Sequence, residues 1–343
     1  MRYSLLLVGV AAFMMLAGSV SESQTVTDDV ATCNDASGDQ AIAACTRAVS
    51  SGRLHGHDLV VGYNNRGNAY SAKGDYDRGI ADYTDAIRVG PEEAVPYKNR
   101  GSAYRAKGDY NRAVADFSEA IRLDPKYAAA YDNRADAYPA KGDYDRAIAD
   151  YTEAIQLDPK YAAAYTFNRG VTYYIKGDTD RAIADFSEAI RLDPKLAGAY
   201  NIRGTAYQDN GDTDRAIADY SEAIRFDPKY ALAYTNRCWA LALAGRDLAR
   251  ALDDCNESLR LQPDDGFTLN YRGLVQLKLG AFDRAIADYG AAVAKNPKDA
   301  DSLYGRGMAK LKGGDRAGGE ADIAAAKAIK PDIAEVYRGY GVT

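Results

Sequence analysis

Apolar and polar positions along the chain repeat with a period near 34 residues, and inside each period they follow helical spacing. In the stretch Ala94–Tyr127, Ala103, Tyr104 and Ala106 follow Tyr97 and Gly101 on one helical face. After Lys107-Gly108-Asp109 a second run begins, carrying Ala113, Phe117, Ala120 and Ile121. This predicts two helices joined by a glycine turn. Gly108 can take the left-handed conformation that closes the first helix, and Asp109 can accept the free amides that open the second. Asp124-Pro125 ends the second helix, because proline cannot continue a helix and restricts the residue before it.

The pattern recurs in Val60–Glu93, Ala94–Tyr127, Ala128–Tyr161, Ala162–Leu196, Ala197–Tyr230, Ala231–Asp265, Gly266–Asp299 and Ala300–Ile333. The large residue Tyr97, the small Gly101, then Tyr104, Ala113, Phe117, Ala120 and Pro125 match in kind and spacing the pattern of the tetratricopeptide repeat, which the chain resembles over most of its length. The resemblance implies an all-α fold, a right-handed α-solenoid of about eight helix–turn–helix hairpins with capping helices at both ends. Residues 20–59, including Gly38–Val49, are read as an N-terminal segment and capping hairpin, and 334–343 as a C-terminal cap remnant.

Departures from the repeat are informative. Cys238 stands where Gly101 stands, and Cys255 replaces the aromatic. Pro139 falls in a first helix and is expected to kink or shorten its last turn. The fourth copy holds one extra residue near Phe167, to be absorbed by a bulge or an earlier helix start.

Every copy also carries an Arg just before the small residue and an Asp just before the second-helix aromatic position. These are Arg66, Arg100, Arg134, Arg169, Arg203, Arg237, Arg272 and Arg306 against Asp82, Asp116, Asp150, Asp185, Asp219, Asp254, Asp288 and Asp322. Arginine forks suit carboxylates and phosphates, so the row could bind a ligand. Because each Arg comes with its own carboxylate, a ladder of ion pairs is the stronger reading.

The ends and the charge bound the rest. Arg2, the apolar run Leu5–Ala17 and the small residues Ala17-Gly18-Ser19 have the order of a secretory signal peptide spanning residues 1–19. About 13 apolar residues is short for a membrane span, which needs roughly 20, and no cysteine follows to accept lipid. A net charge of −6 from 49 acidic and 43 basic residues, without a Lys/Arg block, argues against a nucleic-acid partner. Residues equidistant from a hairpin turn face one another, which favours bridges Cys33–Cys45 and Cys238–Cys255 among the three possible connectivities. Four buried thiols are the alternative; export shifts the balance towards disulfides.

Catalytic chemistry has little to draw on. His55 and His57 are the only histidines, in the connector HGHD, and two imidazoles with Asp58 fall short of a zinc site. No phosphate loop, nucleophile elbow or helix-borne histidine pair occurs. Neither a cofactor nor a metal is implied, and the chain does not read as an enzyme.

In tetratricopeptide proteins the first helices line the concave, ligand-binding face. Asn65, Asn99, Asn133, Asn168 and Asn236 share one position there and resemble a ladder that holds peptide main chain; equally, Asn is common at that position in the family. Lys98 and Arg105 lie beside these amides, but Asp132 and Asp136 follow, which argues against a clamp for a terminal carboxylate. Early copies offer Asn64, Asn68 and Ser102 on this face, whereas late copies offer Leu232, Trp239, Phe267, Leu274, Leu277, Met308 and Leu311. Such an apolar stretch marks a partner surface or an end packed inward by the C-terminal remnant.

The resemblance thus implies a non-catalytic scaffold, periplasmic or secreted, that binds a protein or peptide in its groove, with no membrane span once the leader is removed. The alternative is a membrane-tethered assembly factor for a multi-subunit cell-envelope complex, with the leader retained.

Overall fold

The structure, a computed structural model, describes residues 27–342, and the regular structure among them is entirely helical. The chain divides into two compact units, Met1–Tyr165 and Thr166–Thr343. The first holds a helix over residues 27–35 (α1), α2 (Gly38–Ser50), α3 (Gly56–Ala72), α4 (Tyr76–Val89), α5 (Ala94–Ala106), α6 (Tyr110–Leu123), α7 (Ala128–Ala137) and α8 (Tyr144–Leu157). The division falls inside α9 (Ala162–Lys176). The second unit continues with α10 (Thr179–Leu192), α11 (Ala197–Asp209), α12 (Thr213–Phe226), α13 (Ala231–Ala244), α14 (Leu248–Leu261), α15 (Gly266–Lys278), α16 (Phe282–Lys295), α17 (Ala300–Lys312), α18 (Arg316–Ile329) and α19 (Ile333–Gly339). From α2 to α8, and again from α10 to α19, each helix packs on the next. The signal-peptide expectation concerns residues 1–19, which lie outside the described residues. Among those described, no helix is long and apolar enough to cross a membrane.

The α5–α6 hairpin shows how the sequence makes the unit. Gly108 turns the chain with φ +78°, and the amide of Asp109 donates to the Tyr104 carbonyl at 2.9 Å. The Asp109 carboxylate then accepts the Arg112 amide at 3.1 Å, satisfying one orphan donor of α6. Arg112 folds back, its Nε 2.6 Å from Asp109 and its guanidinium over the Tyr104 ring. Higher up, α5 and α6 meet at Gly101. A Cβ there would sit 2.8 Å from Phe117 Cε1, so glycine lets the ring lie directly against the α5 backbone. Phe117 is fully buried as a result.

Local departures have local causes. Proline lacks an N–H and clashes with the preceding turn, so α7 stops at ten residues against thirteen in α5, and Pro139–Lys141 form a 3₁₀ turn. The extra residue of the fourth copy lengthens α9 to fifteen residues. In one respect the sequence reading is corrected. His55 is the N-cap of α3 and Gly56–Asp58 form its first turn, so HGHD is no connector loop. His57 Nδ1 lies 3.0 Å from Glu93, whose hydrogen bond and charge raise the imidazole pKa. Among the described residues no cluster of His, Cys, Asp and Glu is arranged to hold a metal.

Both cysteine pairs are disulfides, Cys33–Cys45 tying α1 to α2 and Cys238–Cys255 tying α13 to α14. At the other end α19 closes the second unit. Ile333, Tyr337 and Val342 are buried, and the Tyr337 hydroxyl donates to the Asp301 backbone oxygen at 2.7 Å.

Candidate functional site: the face of the first helices

The repeated arginines are held inside the hairpins. In all eight copies Nε and Nη2 donate to the two oxygens of the matching Asp, at 2.6 to 2.9 Å, a bidentate fork. Burial works against the charge of Arg134, but Asp150 outweighs it and holds the guanidinium above its ordinary pKa. A third arm was not foreseen. Nη1 of Arg134 donates to Ser118 of the preceding hairpin at 3.0 Å, and Arg100, Arg203, Arg237 and Arg272 reach Thr84, Ser187, Ser221 and Asn256 likewise. Each of these arginines therefore joins its own two helices to the hairpin before it. Donors so committed are structural, and the reading of the row as a ligand site falls away. The recurrence of Ser, Thr or Asn sixteen residues before each of these arginines was the signal for the third arm.

In the first unit the face of the first helices is polar and self-engaged. Asn65 donates to Asn34 at 2.8 Å, and Asn99 donates to Asn64 at 2.8 Å and to Asn68 at 3.1 Å. Asn133 instead bonds the Ala129 carbonyl of its own helix at 2.6 Å. Arg105 pairs with Asp136, which also accepts the Tyr151 hydroxyl. In the second unit Asn236 donates to Asn201 at 3.0 Å, and Asn168 occupies the equivalent place on α9. Asn65, Asn99 and Asn236 thus link one hairpin to the next, and Asn133 bonds its own helix. An amide has two hydrogens and a carbonyl oxygen, so the Asn236–Asn201 bond leaves capacity for a further partner.

The late, apolar part of the face divides in two. Phe267 and Leu232 are 73% and 49% exposed. Leu274 and Leu277 are 1% and 4% exposed and belong to the core cluster built with Val275, Ile333 and Tyr337. Their expected place in an open groove is corrected: the C-terminal residues complete a core over them. Met308 is half-buried against that cluster, and Leu311 is half-buried on the same helix. Trp239 lies between the two groups. It stacks on Tyr271 with centroids 4.4 Å apart and meets Tyr340 edge to face at 5.2 Å. Burial first, then Asp301 and Tyr271, push the Tyr340 phenol up to about 12. Around these rings lies a cavity of about 380 Å³, rimmed by Phe267, Asp265, Asp299 and Asp301. Tyr271 was legible as an aromatic standing where other copies have Asn; nothing in the sequence placed Tyr340 beside Trp239.

Comparison with known proteins now identifies the fold. Models described as tetratricopeptide repeat match residues 61–92, 133–197, 197–230 and 272–334, and one described as TPR repeat matches 101–142. The chain belongs to the tetratricopeptide repeat family. These segments do not include 231–271, where the cysteine pair replaces the usual contact. No curated protein matches the sequence significantly. Among solved structures it is similar to a chain of the APC/C hetero-tetramer Cut9–Hcn1, with 20% identity, a TM-score of 0.57 and 78% of this chain covered. This chain spans only about half of that one, 52%. A tetratricopeptide repeat protein from Parabacteroides merdae aligns at 20% identity and TM-score 0.54, over 74% of this chain and all of the other. The C-terminal part of a TPR repeat-containing protein from Cytophaga hutchinsonii aligns at 17% identity and TM-score 0.56, over 70% and 97% of the two chains. At these identities the likeness concerns the fold.

Proposed function

We propose that the protein is a non-catalytic interaction scaffold that binds a peptide or protein partner along the first helices of its hairpins. One observation carries the reading: Phe267, the most exposed large apolar residue described, stands on that face at the rim of the Trp239 cavity. Exposed apolar surface of this kind costs solubility and is kept where a partner covers it. On the first helices of the same unit, the Asn236–Asn201 pair keeps hydrogen-bonding capacity suited to main chain. Two disulfides suit an oxidising compartment, so we place the scaffold in a periplasm or outside the cell.

The test is site-specific photocrosslinking in the native compartment. A photoreactive residue at Phe267 should yield a discrete adduct, and one at Arg225, exposed on the second helix α12, should not. Adducts from Arg225 alone would move the partner to the opposite face.

A further inference from the structure

The cavity beside Trp239 has a chemistry of its own. Its apolar part is aromatic, with Trp239, Tyr271, Tyr340 and Phe267 on the lining. Its polar part is acidic: Asp265, Asp299 and Asp301 face a single lining cation, Lys295. At about 380 Å³ it lies at the small end of ligand-binding cavities, of size for one long side chain.

Two carboxylates are tied to backbone. Asp265 accepts the Thr268 amide at 2.7 Å and caps α15; Asp299 accepts the amides of Asp301 and Ser302 at 3.3 Å and caps α17. These bonds fix the carboxylates without neutralising them. The nearest side-chain cation to Asp301 is Lys330, at 4.0 Å. Half-burial first, then Asp299 and Asp332, raise the Asp301 carboxyl in spite of Lys330. Negative charge is therefore concentrated and under-compensated next to aromatic rings. A cation is attracted by ring faces and carboxylates together, whereas an anion is repelled by both.

We propose that this cavity receives the cationic side chain, arginine or lysine, of a peptide held along the first-helix face. The inference rests on the reading of that face as the partner surface and adds what the partner must present. Arginine fits best, because its planar guanidinium stacks on rings while its fork meets a carboxylate.

Three acetylated tripeptide amides, Gly-Arg-Gly, Gly-norleucine-Gly and Gly-Glu-Gly, test it by titration. Trp239 is the only tryptophan of the chain, so its fluorescence reports occupancy directly. The arginine peptide should give a saturable change, at least about fivefold tighter than norleucine, the span expected of a partly desolvated cation–π and ion-pair contact. The glutamate peptide should be weakest. In Asp299→Asn/Asp301→Asn the arginine affinity should fall at least about threefold and lose its salt dependence, with norleucine unchanged. Asn still caps a helix, and an unchanged circular dichroism spectrum confirms the fold. Equal binding of norleucine and arginine, or an unaltered arginine affinity in the variant, would overturn the proposal, as would absence of saturation. If the Phe267 crosslink persists in that case, the partner surface stands and only the cationic anchor is lost.

Discussion

Cys238 and Cys255 form a disulfide across α13 and α14 at the two positions where Gly101 and Phe117 meet in the second repeat. At Gly101 a Cβ would lie 2.8 Å from Phe117, so a side chain there requires the ring to shift, as in the third copy, where Ala135 and Tyr151 hold these positions in one cluster. The bridge therefore replaces a ring-against-glycine contact as a unit. Cys255→Tyr alone should be destabilising, because the Cys238 side chain, its sulfur as well as its Cβ, occupies the space that the ring needs. Adding Cys238→Gly should recover much of the loss. Measured by denaturant unfolding under reducing conditions, the two changes should couple by about 0.5–3 kcal/mol; additive effects would show that the positions are independent.

Thiol titration of the unfolded, unreduced protein should find no reactive sulfur, because all four cysteines are bridged. Removing either bridge should cost about 2–5 kcal/mol. Four titrating thiols in protein from its native compartment would contradict both bridges.

Arg134→Ala should lower stability by about 3–5 kcal/mol, since it strands the buried carboxylate of Asp150 and frees Ser118 of the preceding hairpin. Arg134→Ala with Asp150→Asn should cost less than the sum of the single changes. A double-mutant cycle with no coupling would reject the pairing.

How far these features were legible depends on whether they repeat. The Arg–Asp ladder could be read because every copy carries both partners at one spacing, and the hairpins because Gly108 and Pro125 punctuate them. Leu274 and Leu277 were misplaced for the opposite reason. They occupy helix positions that face a groove in an uncovered repeat, and here they share one core cluster with Leu303 and Tyr304 of the next repeat and with the non-repeating C-terminal residues Ile333, Tyr337 and Val342. Helical periodicity identifies a face but not what lies over it. Tyr340 escaped for the same reason, since its contact with Trp239 depends on where the chain returns after Pro331.

Acid should weaken the array through its helix caps. The Asp109 and Asp212 carboxyls lie below the usual range, first because backbone amides donate to them and then through Arg112 and Arg215; for Asp75, Asp143 and Asp178 the neighbouring guanidinium acts first. A carboxyl lowered in the folded state contributes stability that is fully present above its unfolded pKa of about 3.9 and is lost as pH falls through the lower folded value. The melting temperature should therefore drop below about pH 4. Asp109→Asn/Asp212→Asn, whose caps do not titrate, should melt lower at pH 6 but show a shallower acid slope. An identical slope would exclude the caps as its source.

Phe267 and Leu274 separate binding from stability on a single helix, α15. Phe267 is 73% exposed and packs little of its ring, so Phe267→Ala should leave the melting temperature and the helical spectrum unchanged. If the face binds a partner, that change should weaken the complex by about 2 kcal/mol or more, as loss of an aromatic anchor does. Leu274 is 1% exposed, within the cluster closed by Ile333 and Tyr337. Leu274→Ala should cost about 2–5 kcal/mol of stability through lost contacts and the cavity left behind. Its effect on affinity, measured by calorimetry well below the melting transition, should be small. Were Leu274→Ala to abolish binding in a fully folded protein while Phe267→Ala did nothing, the partner would have to enter the core cluster that holds Leu274.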